Sequence, residues 1–160
     1  MKRLQLLLNH PLYRRELASI EHLEQDRIYC GHNLEHLLSV ARIGWIYALE
    51  HGLSLDKELW YSCALLHDIG RGLQYTQKIP HHEAGKTLAR QILEECHYNM
   101  EEIQSVLDAI AGHRGAFPSI PKTMAELLIW ADKKSRNCFC CKAKDSCNWP
   151  LEKRTNEILL

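Results

Sequence analysis

The sequence predicts an all-α protein, folded as a single-domain helical bundle. Apolar residues recur at three- and four-residue spacing along several segments, capping residues stand at the ends of those segments, and the alternation typical of strands is almost absent. A chain of 160 residues is most simply one domain and is long enough to bury a core. We therefore expect one domain over residues 1–160, with its core at about 31–136 and a cysteine-rich tail at 137–160.

The first half of the chain is expected to supply the longest helices. Residues 1–28 should add one or two helices against the core. Leu34 to Glu50, LEHLLSVARIGWIYALE, is the longest stretch with helical periodicity. Ser54 is expected to cap a second core helix that runs to about Ile69 and ends at Gly70.

The second half is expected to contain three more helices separated by loops. Residues 70–80 should form a loop, and the next helix should span about 81–96. Asn99 with Glu102 three residues later is the cap pattern of a further helix. After the proline-containing break RGAFPSIP, the segment at about 122–136 should form the last helix.

Composition argues against several classes of protein. Lys and Arg total 20 and Asp and Glu total 20, so no global field points to a nucleic-acid or membrane partner. The chain has no apolar run of membrane-spanning length, and the start MKRLQLLLNHPLYRREL has too short an apolar core for a secretory signal. We therefore expect a cytoplasmic protein. The sequence leaves open whether it forms a homo-oligomer.

The placement of the 10 histidines is the strongest chemical signal in the sequence. In ALLHDIGRG, His67 and Asp68 stand side by side where an apolar helix is expected to end. Other candidates lie at the ends of predicted helices, and helical bundles build metal sites from such inward-facing side chains. Imidazole with carboxylate suits iron, manganese, zinc or nickel better than calcium. The candidates are His32, His36, His67, Asp68, His81, His82, His113 and Asp132.

The order of these residues resembles the HD-domain superfamily of metal-dependent phosphohydrolases, in which an adjacent His-Asp pair ligates metal within a helical bundle. The similar motifs are HLLSVARIG, LLHDIGRG, HHEAGKTLA, AIAGHRG and LLIWADKKSR, which together span about 31–136. His82 stays open as an alternative to His81, and His32 has the position of an accessory histidine. The resemblance implies six ligands, namely His36, His67, Asp68, His81, His113 and Asp132.

Six ligands suit two divalent ions, with iron or manganese expected first and zinc, nickel or magnesium as alternatives. Neighbouring helical residues point about 100° apart, so His67 and Asp68 meet at one ion only where the helix end loosens. Gly70 is expected to remove bulk near that ion. We expect His81 and His113 to hold the second ion, with Asp68 as the bridge, and two such ions activate a bridging water.

The resemblance implies hydrolysis of a phosphoester or phosphoanhydride in a small-molecule substrate, most often a nucleotide. The pattern of AIAGH and a later AD resembles the branch that splits diadenosine tetraphosphate, whereas the Gly-Tyr-Pro motif of the cyclic-di-GMP branch is replaced by RGAFPSIP. Asp68, Arg71 and Lys133 are the predicted catalytic residues, the two cations because each is so close to a ligand. Two alternatives stay open, an HD-type di-iron oxygenase and a non-catalytic nucleotide-binding HD domain.

The seven cysteines are expected to be free thiols or metal ligands rather than disulfides. In NCFCCKAKDSCNWP, Cys138 and Cys141 have C-x2-C spacing, and Cys147 follows. Three thiolates so spaced could hold zinc or an iron–sulfur cluster, with Cys140 or an outside residue as the fourth ligand. The alternative is a surface turn of reduced thiols. The cysteines expected to be buried apolar side chains are Cys30, Cys63 and Cys96.

Overall fold

A computed structural model describes residues 1–158, and in these residues the chain is helical with no strand. The predicted all-α class is confirmed. Within the described residues, none of the seven cysteines is joined in a disulfide, which leaves both free thiols and metal ligands open. The elements in chain order are α1 (Lys2–Asn9), α2 (Pro11–Leu23), α3 (Leu34–Glu50), α4 (Lys57–Leu66), α5 (Arg71–Gln77), α6 (His81–Glu95), α7 (Met100–Gly112), α8 (Met124–Lys134) and the 3-10 turns η1 (Cys138–Cys140) and η2 (Leu151–Lys153).

The core forms where α3 packs on α4 and α8, and where α7 packs on α4, α6 and α8. Trp60 of α4 is fully buried, and its indole N–H donates to the Ala41 carbonyl of α3 at 2.8 Å. Gly44 lies against the same indole, and a Cβ there would come within 2.1 Å of the ring. The close approach of α3 and α4 therefore depends on a glycine opposite the tryptophan.

Helix α1 is tied to the bundle by an ion-pair triad centred on Arg3. The Arg3 guanidinium donates to the Glu102 carboxylate at 2.7 Å and to the Glu58 carboxylate at 2.9 Å. The hydrogen bond from Arg3 lowers the pKa of Glu102. At Glu58, burial raises the pKa but the hydrogen bonds from Arg3 and the Leu4 N–H outweigh it and lower the value. The triad links α1 to α4 and α7.

Because folding lowers the pKa of both carboxyls, the triad stabilises the fold at neutral pH and stops doing so as the pH falls below about 4.5. We expect the double variant Glu58→Gln/Glu102→Gln to lower the free energy of unfolding at pH 7 by about 1–2 kcal/mol, since the groups are partly exposed. The difference from wild type should shrink towards pH 3. Urea unfolding of metal-free protein across this range checks this, with exposed Glu101→Gln as the control. A difference that does not change with pH would contradict it.

The second core helix is shorter than predicted. Asp56, rather than Ser54, caps it, accepting a hydrogen bond from the Leu59 N–H at 2.8 Å. The helix ends at Leu66, so His67 and the aspartate after it lie in the following turn. The other predicted core helices are confirmed to within a few residues, and the cap of α7 forms the expected reciprocal capping box.

The loop predicted over residues 70–80 is wrong for most of its length, because Arg71–Gln77 form α5. This short helix is held by packing on α2 and α6 rather than by its own apolar pattern. A Cβ on Gly70 would lie 2.2 Å from the His81 carbonyl oxygen and 2.5 Å from the Gly85 nitrogen. Gly70 is thus needed for the contact of α5 with α6, which corrects the expectation that it makes room beside the metal.

The cysteine-rich tail folds back onto the end of α8. The Thr155 hydroxyl donates to the Lys133 carbonyl at 3.2 Å, and the Phe139 N–H donates to the Thr155 carbonyl at 3.1 Å. Arg154 donates to the Cys147 carbonyl at 2.6 Å. The tail therefore lies beside the C-terminal end of α8.

None of the helices described is long and apolar enough to cross a membrane.

Candidate metal centre

The His67-Asp68 pair lies in the turn between α4 and α5, at the centre of the bundle. His67 is fully buried and Asp68 is 2 % exposed. The His67 Nδ1–H donates to the Ala64 carbonyl at 2.7 Å, which leaves Nε2 of the same ring facing inward. Burying an ionised carboxylate this deeply costs desolvation free energy unless a cation lies beside it.

The first set of candidate ligands joins α3, the turn after α4, and α8. Its ligand atoms all lie within 4.8 Å of one another. His36 Nε2 is 3.2 Å from Asp132 Oδ1, and His67 Nε2 is 3.2 Å from Asp68 Oδ2. His67 Nε2 also lies 3.8 Å from Asp132 Oδ1. Two imidazoles and two carboxylates thus converge on one point, as the sequence predicts.

The second set consists of Asp68, His81 and His113, whose ligand atoms also lie within 4.8 Å of one another. His81 begins α6 and His113 follows the last residue of α7. Their Nε2 atoms lie 3.5 Å and 4.0 Å from Asp68 Oδ1. His82 joins neither set, so the structure places His81, and not its neighbour, among the candidate ligands.

Asp68 is the residue that the two sets share. Its Oδ2 atom faces His67, whereas its Oδ1 atom faces His81 and His113. The two oxygens of one carboxylate therefore point to two separate ligand positions. This is the arrangement expected of a carboxylate that bridges two ions.

The hydrogen bonds of the histidines show that these positions suit a metal. The Nδ1–H of His113 donates to the Ile110 carbonyl, and the Nδ1–H of His81 donates to the Gln74 side-chain oxygen, each at 2.5 Å. Their Nε2 lone pairs then face each other at 3.0 Å, which is unfavourable without a cation between them. Nε2 of His67 is a buried nitrogen without a hydrogen-bond partner among the described residues. All three nitrogens are placed to be metal ligands.

Electrostatics keep all but one of the candidate ligands in forms that bind metal. Burial lowers the pKa of His36 and His113 to about 4 and that of His81 to about 3, so these rings are neutral at pH 7. At Asp68, burial raises the pKa, but the nearby His67 and Arg71 charges outweigh it and hold the value well below its usual range. Neutral imidazole and ionised carboxylate are the forms that bind metal.

His67 differs from the other histidines of the site. Burial lowers its pKa, but the carboxylates of Asp68 and Asp132 outweigh this effect and raise the value to about 9. The two carboxylates therefore favour positive charge at His67 Nε2, the nitrogen that has no hydrogen-bond partner. A divalent cation would satisfy both the nitrogen and the carboxylates.

Arg71 and Lys133, the two predicted catalytic cations, both touch ligand carboxylates. Arg71 Nε donates to Asp68 Oδ1 at 2.8 Å, and the Lys133 ammonium donates to the Asp132 carboxylate. Two cavities, of about 250 Å³ and about 310 Å³, flank this part of the site. Both are lined in part by Arg71, Asp132, Lys133 and Trp149. The structure brings the two cations to the site, and their role in catalysis stays a prediction.

Several residues that support the site lie outside the sequence motifs. Glu24 accepts hydrogen bonds from His32 Nδ1 at 2.6 Å and from the Tyr75 hydroxyl at 2.5 Å. His32 precedes α3 rather than lying in it, and its Nε2 is 3.8 Å from Asp68 Oδ2. Arg136 donates to His36 Nε2 at 2.9 Å. Of Glu24, Tyr75 and Arg136, only Arg136 could have been predicted from the sequence, because it lies within the motif LLIWADKKSR.

Gln74 is a positioning residue for the second set of ligands. We expect Gln74→Ala to weaken binding of the second ion about 10- to 100-fold, because the His81 ring loses the acceptor that fixes its orientation. Gln74→Glu, which keeps an acceptor, should largely restore binding. Calorimetric titration with Mn²⁺ measures both affinities, with the exposed Gln77→Ala on the same helix as the control. Unchanged affinities in Gln74→Ala would contradict the assignment.

Comparison with known proteins agrees with this fold and site. The family model described as HD domain matches residues 33–144. An uncharacterized protein of Clostridium beijerinckii is 40% identical to this chain over 99% of both. The all-helical bundle with a buried cluster of histidines and aspartates that could hold metal thus defines the class, and the chain belongs to the HD domain family. The resemblance seen in the sequence is confirmed.

More distant relatives match about three quarters of this chain. Ribonuclease Y of Lactobacillus helveticus is 30% identical over 72% of this chain, and ribonuclease Y of Salinispora arenicola is 33% identical over 72%. This chain covers 19% and 18% of those two proteins, so it spans about a fifth of their length. No solved structure matches the chain.

Proposed function

We propose that this protein is a metal-dependent phosphohydrolase acting on a nucleotide or a related small phosphoester or phosphoanhydride. The observation that carries the proposal is the carboxylate of Asp68, whose two oxygens face two different sets of ligands. When bound there, two divalent ions supply a metal-activated water and positive charge against the phosphate oxygens. The side chains that would bind the ions lie at or near the ends of helices that pack into the core.

Arg71 and Lys133 are proposed to bind the phosphate. Each contacts a ligand carboxylate and also lines both cavities beside the site. Cations so placed attract phosphate oxygens towards the metal positions and orient the scissile bond. Asp68 is assigned the central catalytic position because both ligand sets depend on it.

More specifically, we propose a substrate that has a nucleoside at each end of its phosphate chain. Two cavities, of about 250 Å³ and 310 Å³, share the lining residues Arg71, Lys133 and Trp149. Their volumes suit small ligands, and the half-buried Trp149 offers an aromatic face for a base. The cavity of about 310 Å³, which no cysteine lines, supports binding of one nucleoside end of a dinucleoside polyphosphate beside the metal centre.

A second candidate is cleavage of an RNA phosphodiester. The relatives named ribonuclease Y favour it. The balanced charge of this chain, with 20 basic and 20 acidic residues, favours a small substrate over a long polyanion. We therefore rank the nucleotide first and include a short oligoribonucleotide in the test.

A cytoplasmic location is part of the proposal. None of the seven cysteines of the described residues is joined in a disulfide, and a reducing compartment keeps cysteines in that state. Nucleotide substrates are available in the same compartment.

The test is a product analysis with anaerobically purified protein loaded with Mn²⁺ or Fe²⁺. Candidate substrates are diadenosine tetraphosphate, nucleoside monophosphates, a phosphodiester and a short oligoribonucleotide, with products separated by chromatography. Metal-dependent cleavage at a phosphate bond supports the proposal. Substrate-dependent oxygen uptake by the Fe²⁺ form without phosphate cleavage would replace it with the oxygenase alternative. Metal and nucleotide binding with no turnover would replace it with the non-catalytic one.

A further inference from the structure

Cys30 lies with three cysteines of the tail, far from it in sequence. Cys30, Cys138, Cys141 and Cys147 all line the cavity of about 250 Å³ beside the metal centre. Cys140, which lies between Cys138 and Cys141 in sequence, is exposed and does not line this cavity. The expectation that Cys30 is a buried apolar side chain is therefore wrong, whereas Cys63 and Cys96 are buried as predicted.

The backbone of the tail places its cysteines on the side of the cavity. Cys138 begins η1, and the Cys141 N–H donates back to the Cys138 carbonyl at 3.3 Å. The next turn is closed by the Lys144 N–H, which donates to the Cys141 carbonyl at 3.2 Å. This tight turn presents both cysteines of the C-x2-C pair to the cavity and leaves Cys140 outside it.

Hydrogen bonds hold the Cys30 segment against the tail. The Tyr29 hydroxyl donates to the Ser146 carbonyl at 3.3 Å, and Arg136 donates to the Gly31 carbonyl at 2.6 Å. The residues on both sides of Cys30 are thus bound to the tail or to the end of α8. The juxtaposition of the four thiols depends on several contacts beyond the cysteines themselves.

The surroundings of the cavity suit thiolates. Burial raises the pKa of Cys30, the charge of Arg136 lowers it, and the three tail cysteines raise it, so each tail sulfur lies within electrostatic reach of Cys30. Positive side chains around the cavity offset the negative charge that four thiolates would bring. These cations are Arg27, Arg71, Lys133, Arg136, Lys144 and Arg154.

We propose that Cys30, Cys138, Cys141 and Cys147 together hold one thiolate-ligated metal centre, separate from the His/Asp centre. Zinc and iron–sulfur clusters share this tetrathiolate chemistry. Among residues 1–158, the sets of three or more ligand atoms within 4.8 Å of one another are the two His/Asp sets, so the sulfurs are more widely spaced. A single zinc ion, with bonds of about 2.3 Å, would require these sulfurs to move closer together.

Metal and acid-labile sulfide analysis of anaerobically purified protein tests the proposal. Each of the four variants, Cys30→Ser, Cys138→Ser, Cys141→Ser and Cys147→Ser, should lose the same centre, and Cys140→Ser should keep it. Loss of iron with sulfide and of visible absorbance identifies a cluster, and loss of one zinc identifies a single ion. Wild-type metal and sulfide content in Cys30→Ser, or equal loss in Cys140→Ser, would overturn the four-cysteine centre.

Alkylation of the wild-type protein tests the same centre without relying on the folding of a variant. Mass spectrometry after mild alkylation should find Cys140 modified and the four proposed ligands protected, until a chelator or oxidant strips the centre. Cys63 and Cys96 are buried in the core and should stay protected in both states. Equal labelling of Cys30 before and after stripping would contradict the proposal. The His/Asp centre is followed separately through Asp68→Asn, which should leave this pattern unchanged.

Discussion

Asp68→Asn is expected to abolish stable binding of both metal ions and to lower phosphohydrolase turnover by more than about 100-fold. Loss of a supporting partner outside the ligand set already costs up to about 100-fold, and Asp68 is shared by both sets. The amide keeps the size of the side chain but removes the charge that faces His67, His81 and His113. One substitution should therefore affect both positions.

Metal analysis, turnover and circular dichroism of the same preparation check this result. Asp108→Asn is the matched control, because Asp108 is exposed on α7 and its carboxylate accepts a hydrogen bond from Gln104, outside the metal centre. The control should keep wild-type metal content and rate. An Asp68→Asn protein with full activity would mean that the catalytic centre lies elsewhere.

His81→Ala and His113→Ala are each expected to lower the metal content from two ions per chain to about one, with a large loss of turnover. The second position has three candidate ligands among the described residues, so removal of one imidazole leaves two. The first position keeps all four of its own ligands. The helical fold should persist, since both rings lie at helix ends.

His82→Ala is the control for this pair of variants. It removes an imidazole next to His81 in sequence that belongs to neither ligand set. Metal content and rate should stay at wild-type values. If His81→Ala and His113→Ala both keep two metals and the wild-type rate, the second set of ligands does not bind metal.

The sequence predicted the helices that have their own caps and long apolar stripes. Leu34–Glu50 has both, with Asn33 accepting from the His36 N–H, and its bounds were predicted without error. The helix over Arg71–Gln77 was missed because its seven residues, RGLQYTQ, follow a glycine and include another, a composition typical of a loop. Its packing on α2 and α6 is a tertiary contact that no local pattern contains.

In the candidate site too, residues that belong to a sequence motif were predicted and residues outside a motif were missed. The six ligands were predicted because their residue types and order form a known motif, and the structure brings all six together. Glu24 and Gln74 were missed because ordinary polar residues outside a motif give no signal until the fold places them beside His32 and His81. Cys30 was misjudged for the same reason, since its relation to the tail is purely spatial.

Electron paramagnetic resonance of anaerobic protein loaded with two equivalents of Mn²⁺ tests most directly whether Asp68 bridges two ions. The carboxylate oxygens face ligand sets that include His67 on one side and His81 on the other, at 3.2 Å and 3.5 Å. Two Mn²⁺ ions joined by this carboxylate should give an exchange-coupled spectrum. A spectrum of isolated Mn²⁺ ions at the same loading would contradict the bridged centre.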